Sequence, residues 1–133
     1  KCKGDTTVTI WGSGTPRREF LFVDDLADAC LHVMDLATDG YRASTRPMRS
    51  HINVGYGDDV TIRELAQMVC EVVGFDGCLE FDTGKPDGAP RKLMDSSLLR
   101  SLGWAPGTDL RAGLGKAYAE YLHAISREEA RES

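Results

Sequence analysis

Apolar residues recur along this chain in two rhythms. Short β-rich runs lie near the start, and four later stretches carry a 3.6-residue spacing, so the pattern predicts a mixed α/β domain. Val8 to Trp11 reads as a strand, and Gly12-Ser13-Gly14-Thr15-Pro16 is turn punctuation. Glu19 to Val23 reads as a second strand, running into a helix with Leu26, Ala29, Cys30, Val33, Met34 and Ala37 on one face. Asp24 or Asp25 would cap that helix and Gly40 would end it. His51 to Gly55 is a third strand candidate, and Thr61-Ile62-Arg63-Glu64 is a capping box opening a helix through Leu65, Met68, Val69 and Val72 to Gly74. Cys78 to Phe81 is again strand-like. Ser96 or Ser97 starts a short helix stopped by Gly103, with Trp104 as core. Thr108 or Asp109 caps a last helix whose stripe runs from Leu110 through Leu114, Ala117, Tyr118, Tyr121 and Leu122 to Ile125. Residues 1–7 read as a frayed or disordered start and 126–133 as a charged, disordered tail, leaving 8–125 as the folded portion.

Composition narrows the class. At 133 residues, with 41% hydrophobic and 28% charged positions, the chain has the make-up of one soluble globular domain, short for a complete cofactor-dependent enzyme. A net charge of −5 argues against general nucleic-acid binding, which needs a basic face to neutralise phosphates. No run approaches the roughly 18 apolar residues of a membrane span, and no secretory pattern opens the chain, so a cytoplasmic location is expected. The chain begins at Lys1 without a methionine, as a fragment or processed product would. Cys2, Cys30, Cys70 and Cys78 form no C-x-x-C pair, and His32, His51 and His123 have no ligand spacing, so no metal site is expected. Cys30 and Cys70 fall on apolar helix faces, where a thiol packs as a small hydrophobe.

The candidate chemistry lies in two stretches. Val8 to Asp25 places an indole, a glycine-rich bend and the pair Arg17-Arg18 together. Such a set can stack a flat base and fork onto a diphosphate, although a plain hairpin with a half-buried Trp and two solvated Arg would have the same sequence. Asp82 to Lys92 has no periodicity, and it carries a second basic pair, Arg91-Lys92, with Asp87 set between prolines. Gly12-Ser13-Gly14 does not open a dinucleotide fingerprint, because position 17 is Arg and the following pattern is a strand.

Val8 to Phe20, Phe22-Val23-Asp24-Asp25-Leu26-Ala27, Ile52-Asn53-Val54-Gly55, Thr61 to Ala66 and Lys85-Pro86-Asp87-Gly88-Ala89-Pro90-Arg91-Lys92-Leu93-Met94-Asp95 together resemble the GDP-L-fucose synthase family. The first four also resemble nucleotide-sugar epimerases and reductases of the extended short-chain dehydrogenase class, and the fifth is the discriminating one. The resemblance covers about residues 8 to 123 and is to the C-terminal portion of that family. It implies an α/β fold contributing a few strands to the Rossmann sheet of a larger enzyme. That enzyme would bind NADP on its N-terminal half and convert GDP-4-keto-6-deoxy-D-mannose to GDP-L-fucose by epimerisation and reduction.

The resemblance implies three substrate-binding residues here: Trp11, Arg18 and Asp87. It assigns no role to Lys85, Arg91 or Lys92. It implies no catalytic or cofactor-binding residue within the chain, since the family's Tyr-x-x-x-Lys pair and phosphate loop lie upstream. None of Tyr41, Tyr56, Tyr118 and Tyr121 has a lysine four residues on. The expected partner is a GDP-sugar, and exposed strand edges would favour a homodimer or a self-associating fragment. The alternatives are another nucleotide-sugar epimerase or reductase, or a non-catalytic nucleotide-sugar binding module.

Overall fold

A computed structural model describes residue 4 and residues 6–132. In chain order its elements are β1 (Thr7–Trp11), β2 (Arg17–Arg18), α1 (Val23–Asp35), α2 (Thr38–Ser44), β3 (Val60–Thr61), α3 (Ile62–Val73), β4 (Cys78–Asp82), β5 (Arg91–Lys92), α4 (Ser97–Ser101) and α5 (Leu110–Glu132). They group into two compact units interleaved in sequence. One unit takes its residues from 1–16, 61–90 and 109–133, and the other from 17–60 and 91–108.

In the first unit β1 and β4 pair in parallel, with Thr7 opposite Cys78 and Trp11 opposite Asp82. A parallel pair needs a crossover, and α3 lies on that connection. The capping box forms as the sequence predicts: Glu64 N–H donates to Thr61 Oγ1 (3.1 Å) and Thr61 N–H to Glu64 Oε2 (2.7 Å). At the other end Gly74 adopts the left-handed conformation (φ 62°), which lets its N–H reach the carbonyls of Cys70 and Glu71. The N–H groups of Ile62 and Arg63, unsatisfied at a helix start, donate to the carbonyls of Pro16 (2.9 Å) and Gly14 (3.0 Å). The opening turn of α3 is therefore tied to the glycine-rich bend. α5 packs on α3, with an Arg111–Glu71 ion pair, and Asp109 Oδ1 caps α5 by accepting from Ala112 N–H (2.8 Å).

The second unit is built around Ala29, Leu99 and Trp104, all buried, with Leu21, Val33, Ile52 and Val54 packed against them. The Trp104 indole N–H is satisfied by Asp28 (2.8 Å). β2 and β5 pair in parallel, Arg17 opposite Arg91 and Arg18 opposite Lys92, in a sheet of order β3-β2-β5. Glu19 accepts from the N–H groups of Gly57 (2.6 Å) and Met94 (3.1 Å), which fixes the chain on either side of that pair.

Several expectations are corrected. The second strand is Arg17–Arg18 rather than Glu19 to Val23, because α1 already begins at Val23. Neither Asp24 nor Asp25 caps α1: Phe22 is the N-cap and makes no side-chain cap bond. Both aspartates sit in the first turn, and Asp25 instead accepts from the N–H (2.9 Å) and hydroxyl of Thr108. α1 ends at Leu36, whose backbone is extended, and Gly40 lies inside α2 rather than stopping a helix. His51 to Gly55 is assigned no strand. Cys30 is exposed, not core. α5 continues through the charged segment up to Glu132. The expected frayed start falls largely on residues outside those described, although β1 begins at Thr7. Among the described residues no helix is long and apolar enough to cross a membrane.

Candidate functional site

The bend between β1 and β2 is shaped by two glycines that no other residue could replace without strain. Gly12 (φ 88°) and Gly14 (φ 77°) are both left-handed. A side chain at Gly12 would collide with the Asp87 carboxylate, and one at Gly14 with the Phe81 ring. Between them Ser13 grips Asp87 twice: its N–H donates to Oδ1 (2.8 Å) and its hydroxyl to Oδ2 (2.7 Å). These bonds, the hydroxyl's first and the amide's second, hold the Asp87 carboxyl below the usual carboxylate range despite some burial. Each carboxylate oxygen keeps a further acceptor site, so Asp87 is positioned by the bend without being consumed by it.

The far side of the bend is held by Arg63. Its guanidinium stacks 3.7 Å from the centroid of Phe81 and donates to the Ser13 carbonyl (2.9 Å). Trp11, at the end of β1, is 74% exposed, and Lys85 Nζ lies 5.5 Å from the centroid of its ring. At that distance the lysine makes a cation–π contact over the ring, and the rest of the indole stays open to solvent. Trp11 and Asp87 are thus brought together in one unit through Ser13, two residues beyond the tryptophan.

Arg18 lies in the second unit, and there the two basic pairs divide. Arg17 Nε donates to Asp59 Oδ1 (2.6 Å) and its terminal nitrogen to the Asp59 carbonyl (2.6 Å), while Arg91 Nε pairs with Asp59 Oδ2. The Asp59 side chain is 1% exposed. Arg91 first and Arg17 second hold its carboxyl below the usual range, against the cost of burial. The half-buried Arg18 donates to the Arg17 carbonyl (2.6 Å). Lys92, its register partner, is exposed. One residue of each basic pair therefore serves the fold.

Sequence reasoning missed Asp59, Ser13 and the Lys85–Trp11 contact. Asp59 follows the Gly55-Tyr56-Gly57 exit and reads as an ordinary solvated loop acid, since nothing local reveals partners 42 and 32 residues away.

Residues 1–55 match the model of the NAD dependent epimerase/dehydratase family. The GDP-L-fucose synthase of Escherichia coli (strain K12) is 56% identical over 120 residues, which is 90% of this chain and 37% of that protein. The chain belongs to the NAD dependent epimerase/dehydratase family. Within that family it is also similar to GDP-L-fucose synthase 1 of Arabidopsis thaliana, 53% identical over 94% of this chain and 36% of the relative. A solved family structure, CJ1428, a GDP-D-glycero-L-gluco-heptose synthase from Campylobacter jejuni in the presence of NADPH, superposes with a TM-score of 0.78. It is 39% identical and covers 87% of this chain and 33% of that one. The chain thus spans little more than a third of the length of the curated relatives it matches.

Proposed function

We propose that this chain is the GDP-sugar-binding portion of a GDP-L-fucose synthase, the enzyme that epimerises and reduces GDP-4-keto-6-deoxy-D-mannose with NADPH. The observation that carries the reading is the bend: an exposed Trp11 beside a Ser13-held Asp87, with the Lys85 to Lys92 motif that resembles this family. Trp11 offers a stacking face, Asp87 a fixed acceptor, and Arg18 a forked donor suited to a phosphate, each good charge-assisted bond contributing roughly 1.5–3 kcal/mol. The named relatives differ in their sugar but share GDP, so the nucleotide is the better supported half of the ligand.

NADP, which supplies the hydride for the reduction, is assigned to sequence outside this chain. The glycine-rich bend does not fit a dinucleotide: its Ser13 N–H is taken by a carboxylate where a phosphate would sit, and it leads to a strand rather than a helix. We also propose that copies of this chain associate in solution. Val23, Leu31 and Met34 leave an apolar stripe of α1 exposed, and His51 to Gly55 has strand chemistry but pairs with no strand among the described residues.

The test is calorimetric titration of the chain with GDP, UDP and NADPH, alongside Arg18→Ala. GDP should bind, UDP and NADPH should bind much more weakly, and the substitution should abolish GDP binding. Equal binding of UDP, or binding of NADPH in place of GDP, would overturn the assignment.

A further inference from the structure

We propose that Asp59 is a positioning residue for nucleotide-sugar binding, acting through Arg18 and Lys92. The proposal rests on the reading of Arg18 as a substrate-binding residue. Its basis is the way one buried carboxylate spans two short strands. Asp59 Oδ1 takes Arg17 of β2 and Oδ2 takes Arg91 of β5, and these two arginines are direct register partners. Arg17 also closes on the Asp59 carbonyl, giving a two-point grip on one residue.

Two-residue strands have a short ladder of their own. Glu19 N–H extends it with a bond to the Lys92 carbonyl at 3.3 Å, β3 borders β2 on its other side, and the Glu19 carboxylate holds the Gly57 and Met94 N–H groups. The shared acid adds a side-chain tie directly between the two register partners. Because successive side chains of a strand point to opposite faces, locking Arg17 and Arg91 onto Asp59 turns Arg18 and Lys92 the other way, side by side. Two neighbouring cations repel, and they stay aligned only if their strands are held by something else. The buried anion contributes to this by tying Arg17 and Arg91 to one carboxylate, and its single negative charge offsets one of the four positive charges brought together. Arg18 in turn folds back on the Arg17 carbonyl, so its aim depends on where Asp59 has placed that residue. The four-residue basic set thus divides into two pairs with different tasks, Arg17 and Arg91 tied to the buried Asp59, and Arg18 and Lys92 turned to the opposite face.

The test is the GDP dissociation constant of the 133-residue chain, measured by calorimetry for wild type, Asp59→Asn, Arg18→Lys and the double variant, with folding checked by circular dichroism. Asp59→Asn should weaken GDP by about tenfold, in the range of coupling between groups of one network. In the Arg18→Lys background, where the guanidinium fork is already gone, the same substitution should weaken it by no more than about twofold. A merely structural Asp59 would cost the same in both backgrounds, and that result overturns the proposal. Arg91→Lys, which keeps the charge but loses the Nε contact, covers the case in which Asp59→Asn does not fold. It should raise the dissociation constant in a folded chain, and an unchanged value overturns the proposal. If wild type binds GDP and Asp59→Asn binds it equally, this inference alone fails. If wild type binds no GDP, the binding reading fails and takes this one with it.

Discussion

Replacing Gly14 by alanine tests whether the bend is built as described. The backbone there is left-handed, and the new methyl would point into the ring of Phe81, nearer than any real Cβ contact allows. An L side chain in that conformation costs about 1–2 kcal/mol, and forcing a methyl into a packed ring adds about 1–3 kcal/mol. The expected loss is therefore about 2–5 kcal/mol, a large share of the 5–15 kcal/mol typical of a domain. Phe81 carries the Arg63 guanidinium that holds the Ser13 carbonyl, so displacing the ring also loosens the segment gripping Asp87. GDP affinity should fall with stability. Gly115→Ala is the matched control: the same substitution in the same unit, in the middle of α5, with nothing within 4 Å of the new carbon. There alanine should stabilise by about 0.5–1 kcal/mol and leave GDP binding intact. Urea unfolding followed by circular dichroism reads both. A Gly14→Ala chain within about 0.5 kcal/mol of wild type, as at an ordinary surface site, or the same sign at both glycines, would refute this account of the bend.

Leu99→Ala empties the centre of the second unit, where Leu99 is fully buried, and should cost about 2–5 kcal/mol in the same assay; a loss under 1 kcal/mol would mean that Ala29, Leu99 and Trp104 do not form its core. Asp59, Asp87 and Asp95 all have carboxyls held below their ordinary value of 3.8, Asp59 by Arg91 and Arg17, Asp87 by Ser13 and Asp95 by Ser97. Because the folded value is the lower one, their stabilisation is complete above the unfolded value and is lost as pH falls through the folded one. Stability should therefore decline on acidification below about pH 4, and less steeply in Asp59→Asn; an unchanged acid limb would remove Asp59 from that explanation. Met34→Lys places a charge on the open stripe of α1 and should raise the monomer fraction in sedimentation, whereas an unchanged distribution would move the contact elsewhere.

The parts of the fold that proved legible are those decided by a few neighbouring residues. Thr61 to Glu64 closes its capping box and Gly74 its C-cap because each needs only atoms within one turn. Trp104 was readable as core from its bulk and its place after a helix stop. Trp11, Arg18 and Asp87, the proposed substrate contacts, are singled out in the sequence by residue type and motif. The device that arranges the basic pairs is not, since Asp59 meets Arg17 and Arg91 across separations of 42 and 32 positions. Ser13 as the keeper of Asp87 was hidden for the same reason.

The errors share a different cause. α1 is apolar on more than one side. Ala29 and Val33 face the core of the second unit, while Val23, Leu31 and Met34 are 66%, 60% and 78% exposed. A helix with apolar residues around so much of its circumference has the character of one buried between two layers, and the described residues provide one. His51 to Gly55 presents the same case in extended form: Ile52 and Val54 pack inward, yet among the described residues no neighbouring strand completes a ladder. Hydrophobic pattern records what an element requires for burial and pairing, not whether this stretch of chain meets the requirement. Reading Cys30 as core and 51–55 as a strand identified the demand correctly and assumed its supply. The proposed self-association rests on this unmet demand, the open apolar stripe of α1 above all.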